Sequence, residues 1–213
     1  MPSKGRPTRT IAGADEPQAR RQSLREAQRE FTRRLLTEVA VEVFDRKGYT
    51  NTTIDDIVTA ANATRATFYQ YFSSKREIVT ALVDEMGEKG EEMFEAFTSV
   101  DPPTRQSVRE WLARVADFYR EFRTVIAATV PAAAQDPELA QRVAEVQTSF
   151  IKSLVPRLAP DERHSPLIRA TLLEAQRDKI MEWWIIDDRR VLDGEEVLDA
   201  LADIWSEALG IAD

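Results

Sequence analysis

Apolar residues recur every three or four positions along most of the chain, which is the spacing that places them on one face of an α-helix. In the first long segment, Phe31, Leu35, Val39 and Val43 are each four residues apart. No stretch alternates apolar and polar residues as a half-buried β-strand does. The pattern therefore predicts an all-α protein.

Capping signals divide this pattern into about nine helices. Ser23 and Glu26 have the spacing of a capping box, and Arg46 and Lys47 precede Gly48 as at a helix C-terminus. Similar signals predict helices over residues 23–47, 53–60, 64–70, 74–98, 104–121, 123–134, 137–158, 166–187 and 194–209.

Three regions follow from these boundaries. Residues 1–22 contain three prolines and almost no large apolar residue, which predicts a flexible basic arm. Residues 23–73 contain short helices and form a first domain, and residues 74–213 contain longer helices and form a second one. The boundary is expected at the helix that begins after Ser74.

The two short helices of the first domain have the size of a helix-turn-helix. Asn62 suits the tight turn between them because its short polar side chain tolerates the left-handed region. Phe68 and Phe72 are predicted to pack against the apolar face of the preceding helix. The outer face then carries side chains that hydrogen-bond to base edges and phosphates, namely Thr64, Arg65, Thr67, Tyr69 and Tyr71. The alternative is an ordinary helical hairpin with a solvated polar face.

Composition and charge narrow the range of functions. The 213 residues have a net charge of −8, but residues 1–80 carry +4 and the remainder −12, so the N-terminal part is better suited to contact phosphates. The chain has no cysteine and a single histidine, His164, which argues against thiolate metal sites and histidine-dependent catalysis. We therefore predict no catalytic residue, no metal site and no cofactor. The absence of a signal peptide or a long apolar run favours a cytoplasmic protein without membrane contact.

The helix-turn-helix segment resembles the DNA-binding signature of the TetR family of bacterial transcriptional regulators. The resemblance covers about 30 residues, of which the informative ones are Thr53, Ile57, Ala61, Phe68, Tyr69, Tyr71, Phe72, Ser74, Lys75 and Ile78. Asn62 and Tyr71 depart from the family pattern, in which Gly and His are usual. The aromatic run and the C-terminal residues 197–205 are similar to the EthR-type branch of the family.

This resemblance implies a role for each matching residue. Thr53 would cap its helix and touch a phosphate, and Lys75 would hold another phosphate. Thr64, Arg65 and Thr67 would enter the major groove, and Tyr69 and Tyr71 would bind the DNA backbone. The resemblance also implies that the second domain binds an effector and forms a homodimer.

Two basic features lie upstream of the signature. Lys4 and Arg6 flank Gly5 in a run similar to an AT-hook, which binds the minor groove, although a generic basic tail is the alternative. Arg25, Arg29 and Arg33 are four residues apart and face either DNA or water.

Aromatic residues of the second domain are candidates for a ligand pocket. The candidates are Trp111, Phe118, Phe122, Phe150, Trp184 and Trp205. The resemblance places a hydrophobic ligand channel here, with Glu174 and Arg177 lining it. The alternatives are a packed core for the aromatic residues and a surface ion pair for Glu174 and Arg177. The last two helices carry enough apolar residues to pair with a second subunit.

These observations favour a repressor that binds a palindromic double-stranded DNA operator as a homodimer and is released by a small hydrophobic effector. One alternative is a DNA-binding protein without an effector. A helical enzyme or adaptor that uses the aromatic pocket is the other.

Overall fold

The computed structural model describes residues 16–100, 102–187 and 192–211, with side chains from residue 24 onward. These residues are almost entirely helical and contain no β-strand. Their nine α-helices are α1 (Glu16–Lys47), α2 (Ile54–Ala60), α3 (Arg65–Tyr69), α4 (Lys75–Thr98), α5 (Arg105–Glu121), α6 (Arg123–Ala133), α7 (Pro137–Leu154), α8 (Pro166–Met181) and α9 (Gly194–Leu209). A short 3₁₀ turn, Val155–Arg157, follows α7, and a π-helical turn, Glu182–Ile186, follows α8. The all-α prediction is confirmed.

Local capping chemistry explains most of the helix boundaries. The side chains of Thr53, Ser74, Asp136 and Asp193 each accept hydrogen bonds from backbone N–H groups in the first turns of α2, α4, α7 and α9. At the end of α1, Gly48 adopts the left-handed region with φ of 74°. Boundaries set by such short-range signals agree with the sequence to within a few residues.

Helix α1 differs from the prediction at its start and in its buried face. It begins at Glu16, so Ser23 lies inside the helix and does not cap it. The side chains of Phe31 and Leu35 are 66% and 37% exposed. The buried face consists of Leu36, Ala40, Val43 and Phe44. The predicted stripe was therefore wrong in its first half, because the helix runs past the domain that its second half helps to form.

A first core joins the helix-turn-helix to the beginning of the second domain. Ile57 of α2 and Phe68 of α3 are fully buried against α1. The same cluster continues into three further helices, where its members are Ile78, Val79, Leu82 and Val83 of α4, Phe122, Val125, Ala128 and Ala132 at and within α6, and Leu139 of α7. The first domain thus shares its core with α4, α6 and α7.

A second core fills the distal part of the molecule. It contains Phe94 and Phe97 at the end of α4, Trp111 of α5, and Trp205 of α9, together with aliphatic residues of α7 and α8. Helix α5 packs along α9, and arginines of α5 pair with acidic residues of α9 across that contact, as Arg109 does with Asp199. Helix α4 is the element that reaches from the first core to the second.

Candidate functional site

The geometry of α2 and α3 is that of a helix-turn-helix. Asn62 has φ of 49°, which confirms that it occupies the left-handed position in the turn. The Ala63 N–H donates to the Val58 carbonyl at 2.8 Å and closes the turn. Phe68 and Phe72 are buried beneath the helices, as predicted, with ring centroids 5.9 Å apart. The opposite face of α3 is exposed.

Thr53 caps α2 through a reciprocal pair of hydrogen bonds. The Asp56 N–H donates to Thr53 Oγ1 at 3.2 Å, and the Thr53 N–H donates to Asp56 Oδ2 at 2.9 Å. The Lys47 ammonium lies 2.7 Å from the Asp56 carboxylate. The Lys47 interaction and the Thr53 hydrogen bonds hold the pKa of Asp56 well below its usual range. Thr53 is therefore held rigidly on an exposed edge.

Two threonines organise the start of α3. Thr64 is its N-cap, and its Oγ1 accepts from the Thr67 N–H at 3.0 Å. The hydroxyl oxygens of Thr64 and Thr67 are 2.9 Å apart. Tyr69, at the end of the helix, is 54% exposed and packs edge-on against Phe68. The structure thus brings these predicted DNA-contacting residues onto one short exposed surface.

Arg65 is held in a planar fork by a residue that the sequence analysis did not select. Its Nε and Nη2 each donate at 2.5 Å to the two carboxylate oxygens of Asp55 on α2. This hydrogen bonding lowers the pKa of Asp55. The Nη1 and the second Nη2 N–H groups form another two-donor edge of the guanidinium, which has the geometry to bind O6 and N7 of guanine in the major groove. Asp55 orients the Arg65 guanidinium on the exposed surface beside the start of α3.

Lys75, which was predicted to bind a phosphate, is directed at the loop between α1 and α2. Its Nζ donates to the carbonyls of Tyr49 and Thr52 at 2.7 Å each, and to that of Thr50 at 3.4 Å. It also lies 4.3 Å from the centroid of the Tyr49 ring, and burial lowers its pKa. An ammonium has three N–H donors, and all three are directed at this loop. Lys75 therefore fastens the α1–α2 loop to the start of α4.

Tyr71, two residues after the end of α3, is half-buried and faces the upstream part of α1. It lines an open cleft of about 520 Å³ together with Gln70, Arg25 and Arg29. Lys4 and Arg6 lie outside the described residues, so the minor-groove arm stays a prediction.

The predicted aromatic pocket residues divide between the two cores. Trp111, Phe150 and Trp205 come together in the second core, where the Trp111 and Trp205 ring centroids are 4.9 Å apart and the planes of Trp111 and Phe150 are nearly parallel. Phe118 and Phe122 pack against each other at 4.8 Å, but they belong to the first core.

Trp184 packs at the edge of the second core, as Phe150 does. It lies under the Arg120 guanidinium, 5.0 Å from its ring, and against Gly194. A single pocket containing all the predicted aromatic residues is therefore not present. The mistake arose because helical spacing says nothing about which of two cores a face enters.

Glu174 and Arg177 are buried beside the aromatic cluster and are not a surface pair. Arg177 Cζ lies 4.3 Å from the centroid of the Phe150 ring, and Arg177 Nη2 donates to Asp178 at 2.6 Å. Burial, reinforced by the neighbouring Asp178 carboxylate, raises the pKa of Glu174 to about 8. Burial likewise raises the pKa of Tyr119, which faces the same carboxylate. Asp178 and Tyr119 were not selected from the sequence, since nothing local distinguishes them.

The aromatic cluster also contains polar atoms without a partner. The indole Nε1 atoms of Trp111 and Trp205 and the Oγ of Ser206 are buried and make no hydrogen bond among the described residues. Buried donors of this kind are uncommon in native proteins. They leave the cluster able to offer hydrogen bonds to a molecule that enters it.

The described residues contain no group of three or more histidine and acidic side chains arranged to hold a metal ion. His164 is exposed and lies 3.6 Å from Asp161. None of the described helices has the length and apolarity needed to cross a membrane.

Comparison with known proteins agrees with this geometry. Residues 36–82 match the family model described as bacterial regulatory proteins, tetR family. The transcriptional repressor NicS of Pseudomonas putida is 28% identical over 120 residues, which are 52% of this chain and 53% of that protein, so the match spans about half of NicS. The transcriptional regulator EthR of Mycolicibacterium smegmatis is 22% identical over 178 residues, covering 80% of this chain and 82% of EthR.

Solved structures share the fold over nearly the whole molecule. Salmonella enterica GusR superposes with a TM-score of 0.66 at 18% identity and covers 84% of this chain and 95% of its own. The TetR-family regulator PfmR of Thermus thermophilus has a TM-score of 0.55 at 19% identity and covers 84% and 98%. At this identity the likeness concerns the fold alone.

A helix-turn-helix with an exposed polar recognition face, built onto a larger helical domain, defines a DNA-binding transcriptional regulator. The helix-turn-helix region, residues 36–82, is of the tetR type. Over a larger part of its length, the chain is similar to the transcriptional regulators NicS and EthR.

Proposed function

We propose that this regulator is a homodimeric repressor that reads a palindromic operator. The observation that carries the proposal is the exposed surface of α3, where the Arg65 fork and the Thr64–Thr67 pair stand side by side on a rigid helix-turn-helix. Short hydroxyl groups and a planar guanidinium are the groups that read base edges. The name of NicS as a repressor supports the direction of regulation.

A dimer is supported by an apolar surface on α8 and α9. Leu167, Ile168 and Leu172 of α8 are 51%, 55% and 64% exposed, and Ile204 of α9 is 44% exposed. Leu173, Leu198 and Leu201 are instead buried inside the protomer, so only part of the apolar residues on these helices is available for pairing. Two copies joined across this surface by a two-fold axis would match the symmetry of a palindrome.

Control by a small hydrophobic effector is supported by the second core. The site would lie around Trp111, Phe150 and Trp205, where indole N–H groups lack acceptors and Arg177 and Glu174 are adjacent. An entering molecule would have to separate these rings. Because α4 contributes Phe94 to this cluster and Ile78 to the first core, separation here would be transmitted to the helix-turn-helix.

A regulator without an effector is a second candidate, and one observation favours it. Trp111 and Trp205 are fully buried, with ring centroids 4.9 Å apart. Phe94, Phe97 and Phe150 pack on Trp111 at centroid distances of 4.7 to 6.3 Å, as in a filled core. In that case the aromatic cluster supplies stability only.

Selection from a pool of duplexes with a randomised central segment tests the proposal. We expect the recovered sequences to contain an inverted repeat with half-sites about one helical turn, roughly 34–36 Å, apart. Recovery of a single half-site, or no enrichment of any sequence, would contradict the proposal that a dimer binds a palindromic operator. A panel of fatty acids and aromatic compounds then tests the effector by tryptophan fluorescence and by release of the selected duplex. If no compound quenches tryptophan fluorescence or releases the duplex, the result favours a regulator without an effector.

A further inference from the structure

The buried face of α1 changes its chemistry halfway along the helix. In the second half, Leu36 and Ala40 face the first core. Continuing upstream on the same face, at spacings of three and four residues, the positions are Arg33, Arg29 and Arg25. The face that holds the domain together therefore continues as a row of three cations, called here the arginine face.

This row extends beyond the packed body of the protein. All residues from Leu24 to Phe31 are exposed, so the upstream part of α1 projects from the helix-turn-helix. The upstream part of α1 lies next to the residues that follow α3, because the Arg33 guanidinium lies 5.3 Å from the centroid of the Phe72 ring. Phe72 is the third residue after α3, so the arginine face runs past the end of the recognition helix.

Arg25 and Arg29 meet this end of the recognition helix in an open cleft. The residues that line it are Leu24, Arg25, Gln28 and Arg29 of α1 with Gln70 and Tyr71. Two guanidinium groups, two amides and a phenol provide hydrogen-bond donors, and none of these described lining residues is acidic. Neither arginine forms an ion pair with another described side chain. Such a set of donors fits a phosphate group.

The like charges of the arginine face repel one another along α1 and destabilise the helix. Like charges four residues apart destabilise a helix by a few tenths of a kcal/mol per pair, and neither Arg25 nor Arg29 is compensated by packing in the described structure. The remainder of the chain, residues 81–213, is strongly acidic and would repel DNA. The arginine face lies next to α3, so it would extend the proposed contact between α3 and DNA.

We propose that Arg25 and Arg29 grip the DNA backbone beside the half-site, so that α1 forms a second contact with the duplex next to α3. This inference rests on the proposed DNA binding. The contact reads no bases, and it adds affinity to any duplex sequence.

The salt dependence of duplex binding tests the proposal. The probe is a 40-base-pair duplex of mixed sequence, and binding is measured by fluorescence anisotropy between 50 and 300 mM NaCl. Arg25→Gln and Arg29→Gln are each expected to reduce the slope of log K against log salt by about 0.9 per bound protomer, and to weaken binding about fivefold per contact near 0.15 M salt. Arg25→Lys with Arg29→Lys should keep the slope, because the charge is kept.

A control on the same helix separates a local contact from a general loss of charge. Arg34→Gln removes the same charge from α1, but Arg34 lies on the other side of the helix and outside the cleft. It should leave the slope within error of the unchanged protein. Circular dichroism of each variant checks that the helix content is kept.

Three outcomes would overturn the inference. Equal slopes for Arg29→Gln, Arg34→Gln and the unchanged protein would remove the arginine face from the DNA contact while leaving the proposed function intact. Loss of binding to phosphatidylglycerol vesicles in Arg25→Gln, with an unchanged DNA slope, would assign the face to anionic lipid. No binding of any duplex by the unchanged protein would remove both the inference and the proposed function.

Discussion

The guanidinium of Arg76 lies 3.4 Å from the carboxylate of Asp136, the residue that caps α7. Arg76 Nη1 also donates to the Gln135 carbonyl at 3.2 Å. The preceding residue, Lys75, holds the α1–α2 loop by three hydrogen bonds. Two consecutive cations at the start of α4 therefore fasten the recognition unit on one side and the second domain on the other.

The two cations should differ in their effect on stability. Lys75→Met removes a partly buried ammonium that serves three carbonyls, and we expect the free energy of unfolding to fall by roughly 1–3 kcal/mol. Arg76→Gln is the matched control, and because its ion pair is partly exposed to solvent the change should be below about 1 kcal/mol. Urea denaturation followed by circular dichroism measures both.

Duplex binding by Lys75→Met separates the two roles considered for this lysine. If Lys75 positions the loop, the salt slope per bound protomer stays unchanged while the affinity falls. A reduction of the slope by about one with unchanged stability would restore a phosphate contact.

Arg65 should contribute to sequence preference more than to general affinity. Arg65→Lys keeps the charge but loses the planar fork, so binding to the selected operator should weaken by about 1–3 kcal/mol while binding to mixed-sequence duplex changes little. Arg114→Lys, on the exposed surface of α5, serves as the control. Equal losses on both duplexes would show that Arg65 contacts only phosphate.

Part of the helix-turn-helix region could be predicted from local sequence, and part of it could not. The starts of α2, α4 and α7 were predicted to within one residue, because the capping interactions that set them involve residues within one turn. The partners of Lys75 were not, since they lie more than 20 residues upstream and are backbone carbonyls that carry no sequence signal. Asp55 was overlooked although it stands on the exposed face of α2 opposite Arg65.

Helical periodicity was also an incomplete guide to the cores. It correctly selected Trp111 and Phe118 as inward-facing residues of one helix, yet the two enter different cores. The assignment depends on how α5 crosses α4 and α6. That crossing is a property of the whole fold and has no counterpart in the spacing of apolar residues.

The exposed surface of α8 should control assembly. Leu172→Asp places a charge near the proposed two-fold axis in both subunits, and we expect the dimer dissociation constant to rise at least tenfold, about 1.4 kcal/mol. Val130→Asp on α6 is the control, because Val130 is 69% exposed but lies away from α8 and α9. Sedimentation equilibrium at micromolar concentration distinguishes them. A dimer that tolerates Leu172→Asp would place the interface elsewhere.

Glu174 should make stability depend on pH. Its pKa is raised to about 8 in the folded protein from an ordinary value of 4.5, so the unfolded chain releases this proton first as the pH rises. Its contribution to the free energy of unfolding is therefore lost progressively between about pH 4.5 and pH 8. Glu174→Gln removes this loss, so the variant should gain stability relative to the unchanged protein as the pH is raised from 5 to 8.

Urea denaturation at both pH values checks this expectation. Glu92→Gln replaces an exposed acid on α4 and should show no such trend. A constant difference between Glu174→Gln and the unchanged protein at pH 5 and pH 8 would mean that Glu174 is ionised in the folded state.

The sharing of α4 and α6 between the domains also limits how this protein can be divided. A polypeptide ending at Ser74 would retain Ile57 and Phe68 but lose Ile78, Leu82 and Phe122, which close the other side of the same core. The helix-turn-helix region is therefore not an independent folding unit, and it could not be moved to another protein by dividing the chain just before α4. A functional exchange would have to carry α4 and the surface of α6 that fits it, and on heating the helix-turn-helix should melt together with the helices that support it.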